Sequence, residues 1–318
     1  MKHIYKIGLS ILLMCSISTP VIKAQDIVGN ASSKESMGFV KMTVNPETAA
    51  KGFAGLANSD QIAWSTFSNA AAIPFSQSKF GAAFTYQRIA PKGVLNNNFA
   101  LGLGGKIGNH VGLGMGFMIQ RGKDFPLYTE DGCENGLAHS QDIQVNIGGS
   151  YRFGKIVSLG VNLKYLQKAP LPKYTYRAFS ADVMAQCSFY GLSIALGVAN
   201  VGTPIKSSDA SSFKLPSSAA LGLDYQLALA KVHKLNFDVD VDYYFSNQVT
   251  CGVGAEYSYN DMVFIRGGYH YGSSKAIIPS FGTAGIGLKF FGVQLDFAYL
   301  FANPILGNTL TLGLAYSF

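Results

Sequence analysis

The chain ends on the stretch Leu310–Phe318, which reads L-T-L-G-L-A-Y-S-F. Successive side chains of a β-strand point to opposite faces, so one face of this strand is apolar and the other is small or polar. A soluble protein rarely leaves such an apolar strand exposed at a sheet edge, because the edge promotes aggregation. In a closed membrane barrel the last strand pairs with the first, and its apolar face contacts lipid. The stretch therefore favours a transmembrane barrel.

The same alternation runs from about residue 78 to the end of the chain. In one segment, for example, Phe237 and Val239 alternate with Asp238 and Asp240. The pattern predicts an all-β fold, a transmembrane antiparallel β-barrel of about 14 strands with an N-terminal hatch-like segment. The predicted strands are 78–87, 97–107, 110–120, 140–153, 157–166, 178–190, 192–201, 217–230, 234–245, 249–259, 262–271, 282–290, 293–301 and 310–318.

The connections between the predicted strands alternate in length. Arg88–Asn96 and Arg121–His139 are long, whereas Gly108-Asn109 and Gly154–Ile156 are tight. Outer-membrane barrels have tight periplasmic turns and longer external loops. The alternation therefore favours the cell outer membrane, with its lipid and the barrel assembly machinery as partners. Tyr316 and Phe318 resemble the C-terminal aromatic signal by which such barrels are recognised for assembly.

Three regions follow along the chain: residues 1–24, 25–77 and 78–318. The first has a basic start, a short apolar run and a cleavage site before Gln25, as in a signal peptide. Its removal takes away three lysines and lowers the net charge from +7 to +4, which is too mild to indicate nucleic-acid binding. The third region is the predicted barrel.

Residues 25–77, the predicted hatch, lack the alternation of the barrel. Their backbone groups would have no partners in lipid, so we expect this segment to fold inside the barrel. Thr48–Ala57 predicts a short helix interrupted by glycines. The candidate hatch residues are Asn45, Pro46, Gly52, Gly55, Asp60 and Asn69.

Charged side chains gather on the face of the strands that we assign to the lumen. Asp238, Asp240 and Asp242, the aspartate row, lie on one face of one strand, about 7 Å apart. Three like charges need counter-charges or water, and the wall residues that could supply them are Arg266, Lys289, Arg152 and Lys164. A structural ion-pair network, a polar permeation path and a cation site all remain open as interpretations.

The sequence does not favour an enzyme. A hydrolase in a barrel would need a serine and a histidine that converge on one region, with an orienting group. The histidines of the predicted barrel are isolated along the chain, and no G-x-S-x-G motif is present. We therefore predict no catalytic residues, no metal and no cofactor.

The layout of the chain resembles the FadL-like outer-membrane proteins, and more closely the PorV/PorQ family associated with type IX secretion. The likeness rests on N-P-E-T-A-A-K-G-F-A-G-L-A-N-S-D (Asn45–Asp60), S-N-A-A (Ser68–Ala71), F-I-R-G-G-Y (Phe264–Tyr269) and L-D-F-A-Y (Leu295–Tyr299). Ala70 departs from the pattern, because it stands where the family has proline.

This resemblance implies a barrel that binds secreted cargo, through its signal domain, or a surface protein. The alternative is a FadL-like channel for a small hydrophobic solute, with residues 25–77 as its gate. The long loop Arg121–His139 mixes charged and aromatic residues and would suit a protein partner or plain solvation.

Overall fold

The computed structural model describes residues 35–90, 95–128, 131, 133–171, 174–206, 212–273, 276–303 and 307–318. The predicted signal peptide, 1–24, and residues 25–34 of the predicted hatch lie outside the described residues.

Fourteen of the described strands close into one antiparallel barrel, in which β18 pairs with β1. The predicted closed antiparallel barrel of about fourteen strands is therefore confirmed. The strands are β1 (Phe80–Ile89), β2 (Asn96–Ile107), β3 (Val111–Gly122), β4 (Phe125–Tyr128), β5 (Glu134–Ala138), β6 (Gln141–Phe153), β7 (Val157–Leu171), β8 (Tyr174–Phe189), β9 (Leu192–Gly202), β10 (Ile205–Lys206), β11 (Ser212–Phe213), β12 (Ser218–Ala228), β13 (His233–Tyr244), β14 (Gln248–Tyr259), β15 (Val263–Gly272), β16 (Phe281–Phe290), β17 (Val293–Asn303) and β18 (Gly307–Ser317).

Two of the long connections contain small hairpins of their own. Strands β4 and β5 pair with each other, and so do β10 and β11, and neither hairpin joins the barrel. The sequence predicts plain loops in both regions. Strands of two to five residues are too short to show a clear two-residue period, so this difference is expected.

The register sorts the side chains into an apolar outside and a polar inside. On β13, Phe237 is exposed on the outer surface and Asp238 is buried in the lumen. On β18, Leu312 and Leu314 are exposed and Thr311 is buried. A one-residue shift of either strand would exchange the two faces, so this pattern fixes the pairing.

The described part of the hatch, residues 35–77, runs through the barrel. At one end, Glu35 forms a bridge with Lys214 in the long connection between β9 and β12. At the other end, the chain enters β1 beside the C-terminal Phe318, whose carbonyl oxygen accepts a hydrogen bond from the Phe80 N–H. The hatch therefore passes from the long-connection end of the barrel to the tight-turn end.

The hatch is built from short helical turns. They are the 3₁₀ helix Gly38–Lys41, α1 (Pro46–Ala50), the 3₁₀ helix Ile62–Trp64, α2 (Ser65–Ser68) and the 3₁₀ helix Ala70–Phe75. The helix expected over Thr48–Ala57 is shorter and starts earlier, because Gly52 and Phe53 both adopt positive φ angles that end it. Among the described residues, no helix is both long and apolar enough to cross a membrane.

Glycines on the inner wall make room for the hatch. A Cβ atom added to Gly254 would collide with the Lys51 side chain, and one added to Gly268 would collide with the Lys51 and Gly52 backbone. On the opposite wall, a Cβ on Gly104 would collide with the carbonyl of Ile62. Close approach of one backbone to another is a setting in which a strand glycine is required. The wall glycines therefore shape the seat of the hatch.

Candidate functional site

The aspartate row of β13 binds the hatch at three successive points. Asp238 Oδ2 lies 2.6 Å from Lys51 Nζ, and both side chains are fully buried. Two residues further along the strand, Asp240 Oδ2 accepts the backbone N–H groups of Gly55 and Leu56, each at 2.8 Å. The carboxylates of Asp238 and Asp240 therefore fix the segment that follows α1.

The third carboxylate of the row, Asp242, binds the hatch near Lys41. Asp242 Oδ1 lies 3.0 Å from Lys41 Nζ and accepts a hydrogen bond of 2.6 Å from the Ser218 hydroxyl. Lys41 also donates to Ser218 and lies over the ring of Tyr244 at 4.8 Å. The two-residue period of the strand thus presents three carboxylates to three different parts of one segment.

Arg266 anchors a second network beneath α1. Its guanidinium contacts the carboxylates of Glu256 on the neighbouring strand β14 and of Asp296 on β17, the next strand but one, and lies 3.7 Å from Glu47 of the hatch. Glu47 also lies 3.0 Å from Lys51. The planar guanidinium can serve several carboxylates at once, so it ties three wall strands and α1 together.

The hatch charges are paired by this arrangement. Buried charges are tolerated when each has a partner of opposite sign, and Lys51, Glu47 and Arg266 lie next to such partners. The buried groups thus form an ion-pair network.

The counter-charges for the aspartate row differ from those that the sequence suggested. Arg266 serves other carboxylates, and Lys164 lies 2.6 Å from Asp182 instead. Arg152 donates to the carbonyl oxygen of Pro74 at 3.3 Å, and Lys289 forms no ion pair within the described part of the chain. The reason is the hatch itself, whose two lysines come closer to the row than any wall cation.

The predicted hatch residues Asn45, Pro46 and Asn69 mark the ends of helical turns. Asn45 is the N-cap of α1, with its side-chain oxygen accepting the Glu47 N–H at 3.1 Å, and Pro46 is the first residue of the helix. Asn69 caps the 3₁₀ helix that starts at Ala70, the position where the resembling family has proline. Its amide also donates to Gln186 Oε1 of β8 at 2.7 Å, so this cap binds the wall.

The other predicted hatch residues lie around the aspartate row. Gly52 has φ +67° and donates its N–H to Thr283 Oγ1 at 2.8 Å, and Gly55 is one of the two donors to Asp240. Asp60 is exposed, and its N–H donates to Asn58 Oδ1 at 2.8 Å.

The two aromatic residues of the C-terminus lie on the outer face, where β18 closes the barrel. The ring of Phe318 lies 5.7 Å from that of Phe80 on β1 and 5.9 Å from that of Tyr316. The terminal aromatic group therefore packs across the seam between the first and last strands.

A cavity of about 150 Å³ lies between the hatch and the barrel wall. Its lining includes the aromatic residues Phe53, Trp64 and Phe67 of the hatch, together with Lys41, Asp240 and Asp242. It also includes Lys164, Asp182 and Asn200 from β7, β8 and β9, which we call the polar corner. The sequence predicts Lys164 in the lumen but carries no signal for this corner, because its three residues meet only when the strands pair. Within the described residues, no group of three or more His, Cys, Asp and Glu side chains is placed to hold a metal ion.

Comparison with known proteins identifies the fold. No protein-family model and no curated protein matches the sequence. Among solved structures, the toluene transporter TodX of Pseudomonas putida has a TM-score of 0.58 and 13% identity, over 86% of this chain and 97% of that one. The CymD monoaromatic hydrocarbon channel has a TM-score of 0.58 and 12% identity, over 86% and 97%. A FadL homologue of Pseudomonas aeruginosa has a TM-score of 0.53 and 11% identity, over 87% and 99%. Identities this low concern the fold alone, and the chain therefore has a FadL-like barrel fold.

Proposed function

We propose that this protein is an outer-membrane channel for a small hydrophobic solute and that the hatch is its gate. The observation that carries the proposal is the cavity between the hatch and the wall of a closed barrel. Solved structures that share the fold include a toluene transporter and a monoaromatic hydrocarbon channel, which supports a transport role over an enzymatic one.

The outer surface supports a place in the outer membrane. Large apolar side chains cover the outside of the barrel. Burying them in lipid removes apolar surface from water, which lowers the free energy. Aromatic side chains near the strand ends suit the two lipid–water interfaces. Exposed examples are Leu113, Ile147, Leu196, Ile265, Ile286 and Leu295 along the strands, with Tyr151, Phe153, Tyr269, Tyr271 and Phe290 near their ends. Export through a cleaved signal peptide, residues 1–24, and insertion by the barrel assembly machinery complete this proposal.

The cavity has the size of a small ring compound. An apolar protein cavity of about 150 Å³ is large enough to bind benzene. The rings of Phe53, Trp64 and Phe67 would contact such a solute directly. Aromatic rings contribute a large apolar contact area and favourable edge and face contacts with another ring.

The hatch crosses the lumen and is fixed to the barrel wall. The ion pairs of Lys41 and Lys51 hold it against β13, and the 3₁₀ helix Ala70–Phe75 packs against the opposite wall. In this proposal, a solute enters the cavity from the long-connection end and leaves at the tight-turn end when part of the hatch moves. The hatch therefore has the position of a gate.

Uptake into proteoliposomes tests this function. Purified protein is reconstituted, and the entry of toluene is followed against empty liposomes and against an unrelated barrel of similar size. We expect faster entry with this protein, and faster entry again when residues 35–77 are deleted. Equal entry in all preparations would contradict the channel.

A second candidate, protein binding in type IX secretion, is favoured by one feature of the loops. The β4–β5 hairpin exposes Tyr128 (64%) and Leu137 (67%), a pair of large apolar side chains beyond the barrel. Such residues are typical of protein contacts. A pull-down from detergent extracts should then recover cargo signal domains or a surface protein, and deletion of Arg121–His139 should reduce the yield. Unchanged recovery after the deletion would remove the hairpin from this role.

A further inference from the structure

The polar corner of the cavity lies at a β-bulge in the barrel wall. The pairing of β8 with β9 changes register between Ala181 and Val183, and Asn200 adopts φ +56° at that point. As a result, two successive residues of β9, Ala199 and Asn200, are both buried instead of alternating. A β-bulge of this kind re-aims a side chain, and such bulges are common beside functional sites.

The bulge is held by a buried ion pair. Lys164 Nζ lies 2.6 Å from Asp182 Oδ2 and donates to Asn200 Oδ1 at 3.0 Å. Asp182 Oδ1 in turn accepts the backbone N–H of Asn200 at 2.7 Å, and Ser217 donates to the Asn200 carbonyl. The Lys164 ammonium group has three N–H donors. Within the described part of the chain, Asp182 and Asn200 take up two of them.

This corner faces the same cavity as the aromatic rings of the hatch. Lys164, Asp182 and Asn200 all line the cavity, and so do Trp64 and Phe67. A pure hydrocarbon in this space would displace water from the corner and offer it no hydrogen bond. A buried polar group that loses water without a new partner has a cost, so a hydrocarbon is a poor fit on this side.

We propose that the cavity selects a small aromatic solute that carries a hydroxyl or carbonyl oxygen, with the ring against Trp64 and Phe67 and the oxygen at the polar corner. This inference rests on the proposed channel function and names the chemical class of its solute. The spare donor of Lys164 meets the oxygen, while Asp182 and Asn200 keep the ammonium in place. The solute class thus differs from the toluene of the transporter TodX and the monoaromatic hydrocarbons of the channel CymD.

A pair of probes with one carbon skeleton tests the proposal. Toluene and benzyl alcohol differ by a single hydroxyl group, and Trp64 is the one tryptophan of the chain, so its fluorescence reports what enters the cavity. Titration of the full-length protein, at matched free concentrations, should show benzyl alcohol binding about tenfold more tightly than toluene. Equal affinity, or tighter binding of toluene, would overturn the proposal while leaving the channel function intact.

Variants of the corner separate recognition from folding. The double variant Lys164→Met/Asp182→Asn removes both charges together, so neither is left buried alone. It should lose the preference for benzyl alcohol and still bind toluene. Asn200→Gly keeps the charges and tolerates the positive φ angle, and we expect it to weaken the preference by a smaller factor.

Lys168→Met is the matched control, because Lys168 lies on the same strand as Lys164 but does not line the cavity. It should leave both affinities unchanged. A preference for benzyl alcohol that survives in the double variant would overturn the role of the corner. If neither probe changes the Trp64 fluorescence and neither enters proteoliposomes, the channel function fails together with this inference.

Discussion

At the scale of single residues, the aspartate row explains why one strand of the barrel carries three carboxylates in succession. Each carboxylate meets a different group of the hatch, either a lysine or a pair of backbone N–H groups. Buried charges of this kind are tolerated only when each has a partner. The geometry therefore favours a structural role for the row, in which the hatch supplies two ion pairs and one pair of backbone N–H donors.

Replacement of one hatch lysine should be costly. Lys51→Met leaves Asp238 without a cation in a buried site and Glu47 with Arg266 alone, and breaking a buried pair typically lowers the free energy of unfolding by about 3–5 kcal/mol. We expect a lower guanidinium midpoint for the protein in micelles. The triple variant Lys51→Met/Asp238→Asn/Glu47→Gln should recover much of the loss.

Lys123→Met serves as the control, because Lys123 is exposed in a long connection and should change the midpoint little. A midpoint for Lys51→Met as high as that of this control would show that the Lys51 pairs do not stabilise the protein.

At the scale of elements, glycines in the barrel wall allow the backbone of the hatch to lie directly against it. Gly268 and Gly267 are neighbours on β15 that face opposite ways: a Cβ on Gly268 would collide with the hatch backbone, whereas one on Gly267 would have its nearest neighbour, Thr283 O, at 3.9 Å. Backbone atoms cannot yield as a flexible side chain can, so the two positions tolerate a methyl group very differently.

Gly268→Ala should therefore displace the hatch and leave the barrel closed. We expect unchanged heat-modifiable migration on a gel but more trypsin cleavage after Lys51, because the lysine loses its buried position. Gly267→Ala is the matched variant, with the same residue change one position away, and it should behave as the native protein does. Equal protection of Lys51 in both variants would contradict this account of the wall glycines.

The barrel could be predicted from the sequence, but the interior of its lumen could not. A strand such as β13 shows its two faces directly, since Phe237 and Asp238 differ in polarity at successive positions. The hatch has no such period, so Asn45, Pro46 and Asn69 could be predicted as hatch residues, but the groups that they contact could not. The partners of Asp238 and Asp242 depend on the path of the hatch through the barrel, and that path is a property of the folded chain.

At the scale of the whole molecule, closure depends on the pairing of β18 with β1. Gly81 through Arg88 pair with Ser317 through Leu310, and the Phe318 carbonyl oxygen and N–H both bond to Phe80. A closed barrel has no free strand edge, so these contacts complete the hydrogen bonding of the wall.

Deletion of Phe318 should impair assembly more than solute binding. The variant loses the ring packed against Phe80 and the terminal aromatic group that we propose as an assembly signal. We expect a smaller amount of folded barrel in outer-membrane fractions, with unchanged solute affinity for the fraction that folds. Phe318→Tyr keeps an aromatic end and should restore the amount. Native levels of the deletion variant would argue against the assembly role.

The most direct test of the gate is to lock the hatch to the wall. A Cβ on Gly148 of β6 would lie 3.2 Å from the Ala70 Cβ, slightly closer than the roughly 3.5–4.5 Å of a disulfide, and the side chains of Asn162 and Thr66 beside it must shift to admit the bond. The variant is Ala70→Cys/Gly148→Cys, made with Cys133, Cys187 and Cys251 replaced by serine. Solute entry into proteoliposomes is then measured before and after reduction. We predict that the oxidised protein, verified by the loss of free thiols, blocks entry and that a reductant restores it. Equal entry in the oxidised and reduced states would contradict a gate formed by the hatch.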